Sequence, residues 1–269
     1  MSVDAPIVTG SARSSASLWG MFARQARVQA VILWRTPALS ATGFLLPIIL
    51  FVFFGLPNAD VPYAPGITMG AYLLASYSAF AVSLVMIFNF GVTVSLDRAE
   101  NVDLLVRSTP LPPLVHLAAR AAVALVSGLL SLLTLFAFAI ILGGIELAAG
   151  TWLSMGSWLL VGSITFIGLG FAIAYLVSPN AAPAVANIVF MVMSFASGLF
   201  VPLDQLPDFL AMIAPYLPTY HYAQLAWRAL GVPGSADLAV SLAWLAGYAA
   251  VFFAIAIRGY RGEASRKFS

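Results

Sequence analysis

Six stretches of this chain, residues 38–56, 66–94, 121–142, 152–177, 181–201 and 238–257, contain no Asp, Glu, Lys, Arg or His. Each is close to or above the roughly 20 residues that a helix needs to cross a hydrocarbon core about 30 Å thick. Inside lipid the backbone must satisfy its own hydrogen bonds, which leaves helices or a closed barrel. Runs of this length without period-2 alternation select helices. Composition removes the soluble alternative: only 8% of residues are charged and 62% are hydrophobic, whereas water-facing domains run at about a quarter charged. The expected class is an all-α integral membrane protein with six transmembrane helices in one domain. The lack of cysteine excludes disulfides and thiolate metal sites.

Three segments are expected. Residues 1–17, rich in Ser, Ala and Thr, read as a flexible cytoplasmic tail with no signal peptide. In residues 18–36, Leu18, Phe22, Ala26 and Leu33 share one helical side while Arg24, Arg27 and Arg35 are interspersed. That pattern fits an amphipathic helix lying in the membrane interface. Residues 37–269 hold the six spans. Pro47 should kink the first, and Pro183 fits the first turn of the fifth. Pairs such as Gly66/Gly70, Gly168/Ala172 and Ser194/Gly198 would let helices approach closely.

Orientation follows from the positive residues beside the spans. Arg13, Arg24, Arg27, Arg35, Arg98, Arg107, Arg120, Arg258, Arg261, Arg266 and Lys267 fall on one side, and Arg228 alone on the other. Both termini are therefore expected in the cytoplasm of a multi-pass protein of the plasma (inner) membrane.

Two connections stand out. The first, residues 95–113, sets Asp97, Arg98, Glu100, Asp103 and Arg107 among Val102, Leu104, Leu105 and Val106. It reads as a short amphipathic helix stopped by the prolines at 110, 112 and 113. Such a segment, held against the inner face, could be pushed by a partner. The second, residues 202–236, is too apolar for a solvated loop. It reads as two short re-entrant helices between the fifth and sixth spans, broken at Pro215 and Pro218.

The reactive inventory is thin. No ionisable group lies in the uncharged stretches, which argues against coupling to an ion gradient. His116 and His221 fall on opposite sides of the bilayer, so they share no site. No Gly-x-x-x-x-Gly-Lys is present, so the chain does not hold ATP in a P-loop of its own. No catalytic, cofactor-binding or metal-binding residue is expected. Asn89 and Asn187 either line a pathway or bond to neighbouring helices.

The pattern resembles the membrane subunit, or permease, of ABC-2 type exporters. Six spans follow an amphipathic helix. After the second come Asp97, Arg98 and Glu100, then Leu104, Leu105 and Thr109-Pro110-Leu111. Before the last come Ser197-Gly198, Pro202-Leu203, Leu206-Pro207, Leu217-Pro218 and Trp227-Arg228. Relatives often carry a glycine where Asn101 and Val102 stand. The resemblance implies a subunit of an ATP-driven exporter moving an amphiphilic drug, antibiotic or lipid out of the cell. The alternatives are a polysaccharide-exporting permease or a non-transport anchoring or assembly subunit. It implies two cytoplasmic ABC ATPase subunits that bind the ATP and magnesium, a second identical or related permease chain, the lipid bilayer, and no nucleic acid. Docking to the ATPase would fall to Arg24, Arg27, Asp97, Arg98, Glu100, Asp103 and Arg107. The first, second and fifth spans would face the pathway, with Phe51, Phe54, Asn89, Asn187 and Phe195 as lining candidates. An outer gate would involve Pro202, Leu206, Pro207, Pro218 and His221.

Overall fold

The structure, a computed structural model, describes residues 17–35, 37–100, 102 and 111–267, and most of these are helical. Helix α1 (Leu18–Arg35) precedes α2 (Pro37–Leu50), which continues without a break through a π-turn (Phe51–Gly55) and a 3-10 turn (Leu56–Asn58). A small antiparallel hairpin, β1 (Pro62–Ala64) and β2 (Ile67–Thr68), leads into α3 (Met69–Ile87). A second π-turn, Phe88–Val92, joins α3 to α4 (Thr93–Ala99). Then follow α5 (Pro113–Ile141), α6 (Ala149–Gly162), α7 (Ile164–Leu176), α8 (Ala182–Ala196), α9 (Asp208–Ile213), α10 (Pro218–Leu230) and α11 (Leu238–Lys267).

Four helical segments among the described residues are long and apolar enough to cross a membrane: Met69–Ala99, Leu114–Ile141, Ala149–Leu176 and Leu238–Gly262. The first and fifth expected spans correspond to shorter apolar helices, Gly43–Asn58 and Ala182–Ala196. The reason for the fifth is local. Pro183 sits in its first turn as expected, but Gly198 takes a left-handed φ of 81° and turns the chain away. At about 1.5 Å per residue, 15 residues reach only about 22 Å.

Helix α3 is the pillar of the fold. Every one of its residues except Met69 is buried, and α2, α5, α6, α7, α8 and α10 all pack against it. This departs from the expectation that the second span faces a pathway with the first and fifth. Its small residues explain the position, because Ala71, Ala75, Ser76, Ser78, Ala79, Ala81 and Ser83 admit neighbours on all sides. The serines do not interrupt the oil: Ser76, Ser78 and Ser83 donate to backbone carbonyls one turn earlier, at 3.1, 2.7 and 2.7 Å. At the π-turn α7 crosses at near-backbone contact. A Cβ on Gly170 would stand 2.9 Å from Gly91 N and 3.1 Å from Ile87 O.

Two expected glycine pairs dissolve. Gly66 lies in the hairpin at φ 73°, and Gly198 lies in the turn after α8; neither is on a helix. The hairpin sets up the start of α3, where Thr68 Oγ1 accepts from Ala71 N at 3.2 Å.

Pro47 lies inside α2 as expected. It has no N–H for the carbonyl of Gly43 four residues earlier. That carbonyl accepts instead from Ser131 Oγ of α5 at 3.0 Å, and Ser131 is buried. A bond between helices thus takes the place of the one that proline removes.

Candidate functional site

Helix direction gathers α1, the end of α4, the start of α5, and the ends of α7 and α11 at one pole of the bundle. Most of the arginines are here. Helix α1 packs along α5, with Phe22, Gln25, Ala26 and Leu33 half-buried and Gln29 buried. Its polar seam is a side-chain bond in which the Gln25 amide donates to His116 Nδ1 at 2.8 Å. Arg24 and Arg27 point away from α5 and are exposed. Leu18 lies on the packed side in the sequence pattern but is exposed. With Trp19, Phe22, Leu114, Val115 and Ala118 it lines an open apolar groove.

The charged segment after the second span divides in two. Asp103 and Arg107 lie outside the described residues. Glu100 lies at the cap just past α4 and is exposed. Asp97 and Arg98, by contrast, turn into the bundle. Arg120 Nη2, on α5, donates to Asp97 Oδ2 in an ion pair. Arg98 donates to the carbonyl of Ala174 near the end of α7, and its guanidinium lies over the Tyr175 ring at 4.9 Å. Ala174 belongs to the last turn of α7, where carbonyls lack partners within the helix and carry the negative end of its dipole. A cation there serves as a cap.

Arg120 was counted in the charge balance but not expected at a site. It is 6% exposed, and its Nε has no hydrogen-bond partner among the described residues. The sequence held one usable signal. Asp97 lies just past the second uncharged stretch, and Arg120 immediately precedes the third. Antiparallel neighbours place two such edge residues at one depth.

At the opposite pole the segment 202–236 is knit into the bundle by α10. Trp227 Nε1 donates to Ser76 Oγ of α3 at 2.9 Å, Tyr222 OH to the Leu159 carbonyl of α6 at 2.7 Å, and Thr219 Oγ1 to the Met193 carbonyl of α8 at 2.9 Å. Tyr72 stacks on Trp227 at 5.3 Å. Of the gate candidates, Pro202, Pro218 and His221 are buried, Leu206 is half-buried and Pro207 is exposed. His221 is 4% exposed and stacks on Trp244 at 5.1 Å. Its Nε2 donates to the Pro215 carbonyl at 2.9 Å, while Nδ1 has no partner among the described residues. Burial pushes this imidazole below its ordinary value, and the Pro215 carbonyl opposes the shift. Helix α9 and the turn after it expose Phe209, Met212, Ile213 and Tyr216.

Of the lining candidates, Phe54, Asn187 and Phe195 are exposed. Phe51 is fully buried within the chain. Asn89, half-buried, donates to the Val85 carbonyl of its own helix at 2.9 Å. It borders a small cavity with Thr93 and Ser127.

Residues 62–258 match the family model described as ABC-2 family transporter protein. The chain is also similar to the Bacillus subtilis (strain 168) protein named "Putative transport permease YvfS". The two are 27% identical over 206 residues, which cover 76% of this chain and 83% of that protein. A match over well over half of its length, on a multi-pass helical bundle, means that the chain belongs to the ABC-2 family of transporter proteins.

Proposed function

We propose that the chain is the permease subunit of an ATP-driven exporter that moves an amphiphilic drug, antibiotic or lipid out of the cell. Energy comes from separate ABC ATPase subunits that bind ATP and magnesium below the membrane. The arginine-rich pole faces the cytoplasm of a plasma-membrane protein, with both termini on that side. A second permease chain, identical or related, completes the pathway.

One observation carries this reading. The chain's arginines are concentrated at one pole, while the six uncharged stretches hold no Asp, Glu, Lys, Arg or His at mid-membrane to exploit a gradient. Work must therefore enter from outside the chain. Of the docking candidates, Arg24, Arg27 and Glu100 are the described residues that are exposed at that pole. Asp103 and Arg107 complete the docking set. Phe54, Asn187 and Phe195, turned outward on α8 and on the end of the first span, suit an amphiphile passing between two chains. Phe51 leaves the lining set because its ring is covered by its own chain.

The test is reconstitution. The chain alone in vesicles should hydrolyse no ATP. With the ATPase that co-purifies with it, vesicles should move a fluorescent cationic amphiphile only when ATP is present. Reversing the signs of Arg24, Arg27 and Glu100 together should release the ATPase. Uphill movement of the dye by the bare chain would refute the proposal.

A further inference from the structure

We infer that Asp97, Arg98 and Arg120 form a two-pronged clasp that fixes the end of the second span to three helices. The inference rests on the exporter reading above and names how its docking loop is coupled to the bundle. Asp97 and Arg98 are successive residues, so on a helix their side chains diverge by about 100°. One prong is the ion pair from Asp97 to Arg120 of α5. The other runs from Arg98 to the Ala174 carbonyl and the Tyr175 face at the end of α7.

The first prong closes the base of the loop. Helix α4 ends two positions beyond Asp97 and α5 begins seven positions before Arg120, so the pair ties departing and returning helices together. With Arg120 6% and Asp97 22% exposed, salt and water screen the pair far less than a surface bridge. The second prong extends the tie. Tyr175 packs edge-on against Tyr260 of α11 at 5.8 Å. Gly259 approaches so near that a Cβ there would meet Tyr175 Cβ at 2.7 Å. Force on the loop therefore reaches α5 through Arg120, and α7 and α11 through Arg98. Two residues whose charges resemble docking contacts act as transmitters, leaving Glu100 and the α1 arginines to bind.

The chain has no native cysteine, so paired spin labels can be placed without background, through cysteines introduced at Ala99 and Ala118, both exposed. In the full chain in lipid nanodiscs, pulsed spin-label distances should form one narrow distribution. Asp97→Asn should broaden it, and Asp97→Arg combined with Arg120→Asp should narrow it again. With the ATPase bound, Asp97→Asn should keep the complex and its ATP hydrolysis. It should move about tenfold less fluorescent amphiphile per ATP, within the usual range of coupling between sites. If Asp97→Asn gives no monodisperse chain, Arg98→Gln, which cuts the other prong, is read in the same way. An unchanged distribution, or a broadened one that the charge swap does not narrow, overturns the clasp. Release of the ATPase by Asp97→Asn also overturns it, because Asp97 would then be a docking contact. If no ATPase ever co-purifies, the exporter reading fails, and the distances in the bare chain still decide the clasp.

Discussion

Replacing Ser131 by alanine isolates the bond that stands in for the one Pro47 removes. In the native chain Ser131→Ala leaves the Gly43 carbonyl without a donor from α5, and Pro47 offers none from its own helix. A buried carbonyl stranded in this way costs about 1–3 kcal/mol. Bonds between helices in membranes average about 0.6 and reach about 1.7 kcal/mol. The removed hydroxyl leaves almost no cavity, so the expected loss is about 1 kcal/mol, or roughly fivefold in the unfolding equilibrium. In a Pro47→Ala background the residue at 47 regains its N–H and can satisfy Gly43 from within the helix. The same Ser131→Ala change should then cost only about 0.3 kcal/mol or less, within the additivity expected of uncoupled sites. Equilibrium unfolding of the four chains in mixed micelles by SDS titration gives the coupling directly. Equal losses in both backgrounds would show that Ser131 does not replace the bond that proline removes.

Three further outcomes follow from other contacts. Gly170→Ala should lower stability by about 1–3 kcal/mol in the same unfolding assay, because its methyl meets the backbone of the α3 π-turn and not a movable side chain; Gly247→Ala, with nothing within 4 Å, should be neutral or stabilising. Ser76→Ala should cost about 1–3 kcal/mol by stranding the buried Trp227 N–H, and combining it with Trp227→Phe should recover part of that loss, read as non-additivity. His221 has a folded value below its ordinary 6.5, so the unfolded chain binds its proton more readily. Its contribution is fully present above pH about 6.5 and is lost as pH falls towards the lowered folded value. The thermal midpoint should therefore drop between about pH 7 and pH 5 by more in the native chain than in His221→Gln, which cannot charge; equal pH profiles would contradict this.

Much of the fold was legible because lipid imposes a rule that acts on runs of residues. A helix that must hide its backbone in oil announces itself by length without charge, and the runs at 66–94, 121–142, 152–177 and 238–257 correspond to long apolar helices. What escaped was whatever depends on one residue meeting another far along the chain. Pro47 was visible as a lost bond, but the replacement donor to Gly43, Ser131, lies 88 positions from that carbonyl and carries no local mark. The short fifth helix turns on the backbone angle of Gly198, which looked like half of a helix-packing pair. The second span was expected to face a pathway by resemblance alone, whereas the small residues along α3 let other helices surround it.

The candidate site failed to be read for a different physical reason, and the reason is instructive about charged segments beside spans. Sequence reading assigns every charge after an apolar run to water, because that is where isolated charges are cheapest. Asp97 and Arg98 lie within a turn of the run's end, on a helix that continues to Ala99, so their side chains are still at the depth of the bundle. At that depth a neighbouring helix competes with water for each charge. It wins when it supplies the opposite sign, as Arg120 does for Asp97, or an unpaired helix-end carbonyl, as Ala174 does for Arg98. Glu100, one residue past the helix, meets neither among the described residues and stays exposed. The boundary between charges that hold the permease together and charges free to meet a partner therefore falls at the last turn of the helix, and here it separates Arg98 from Glu100.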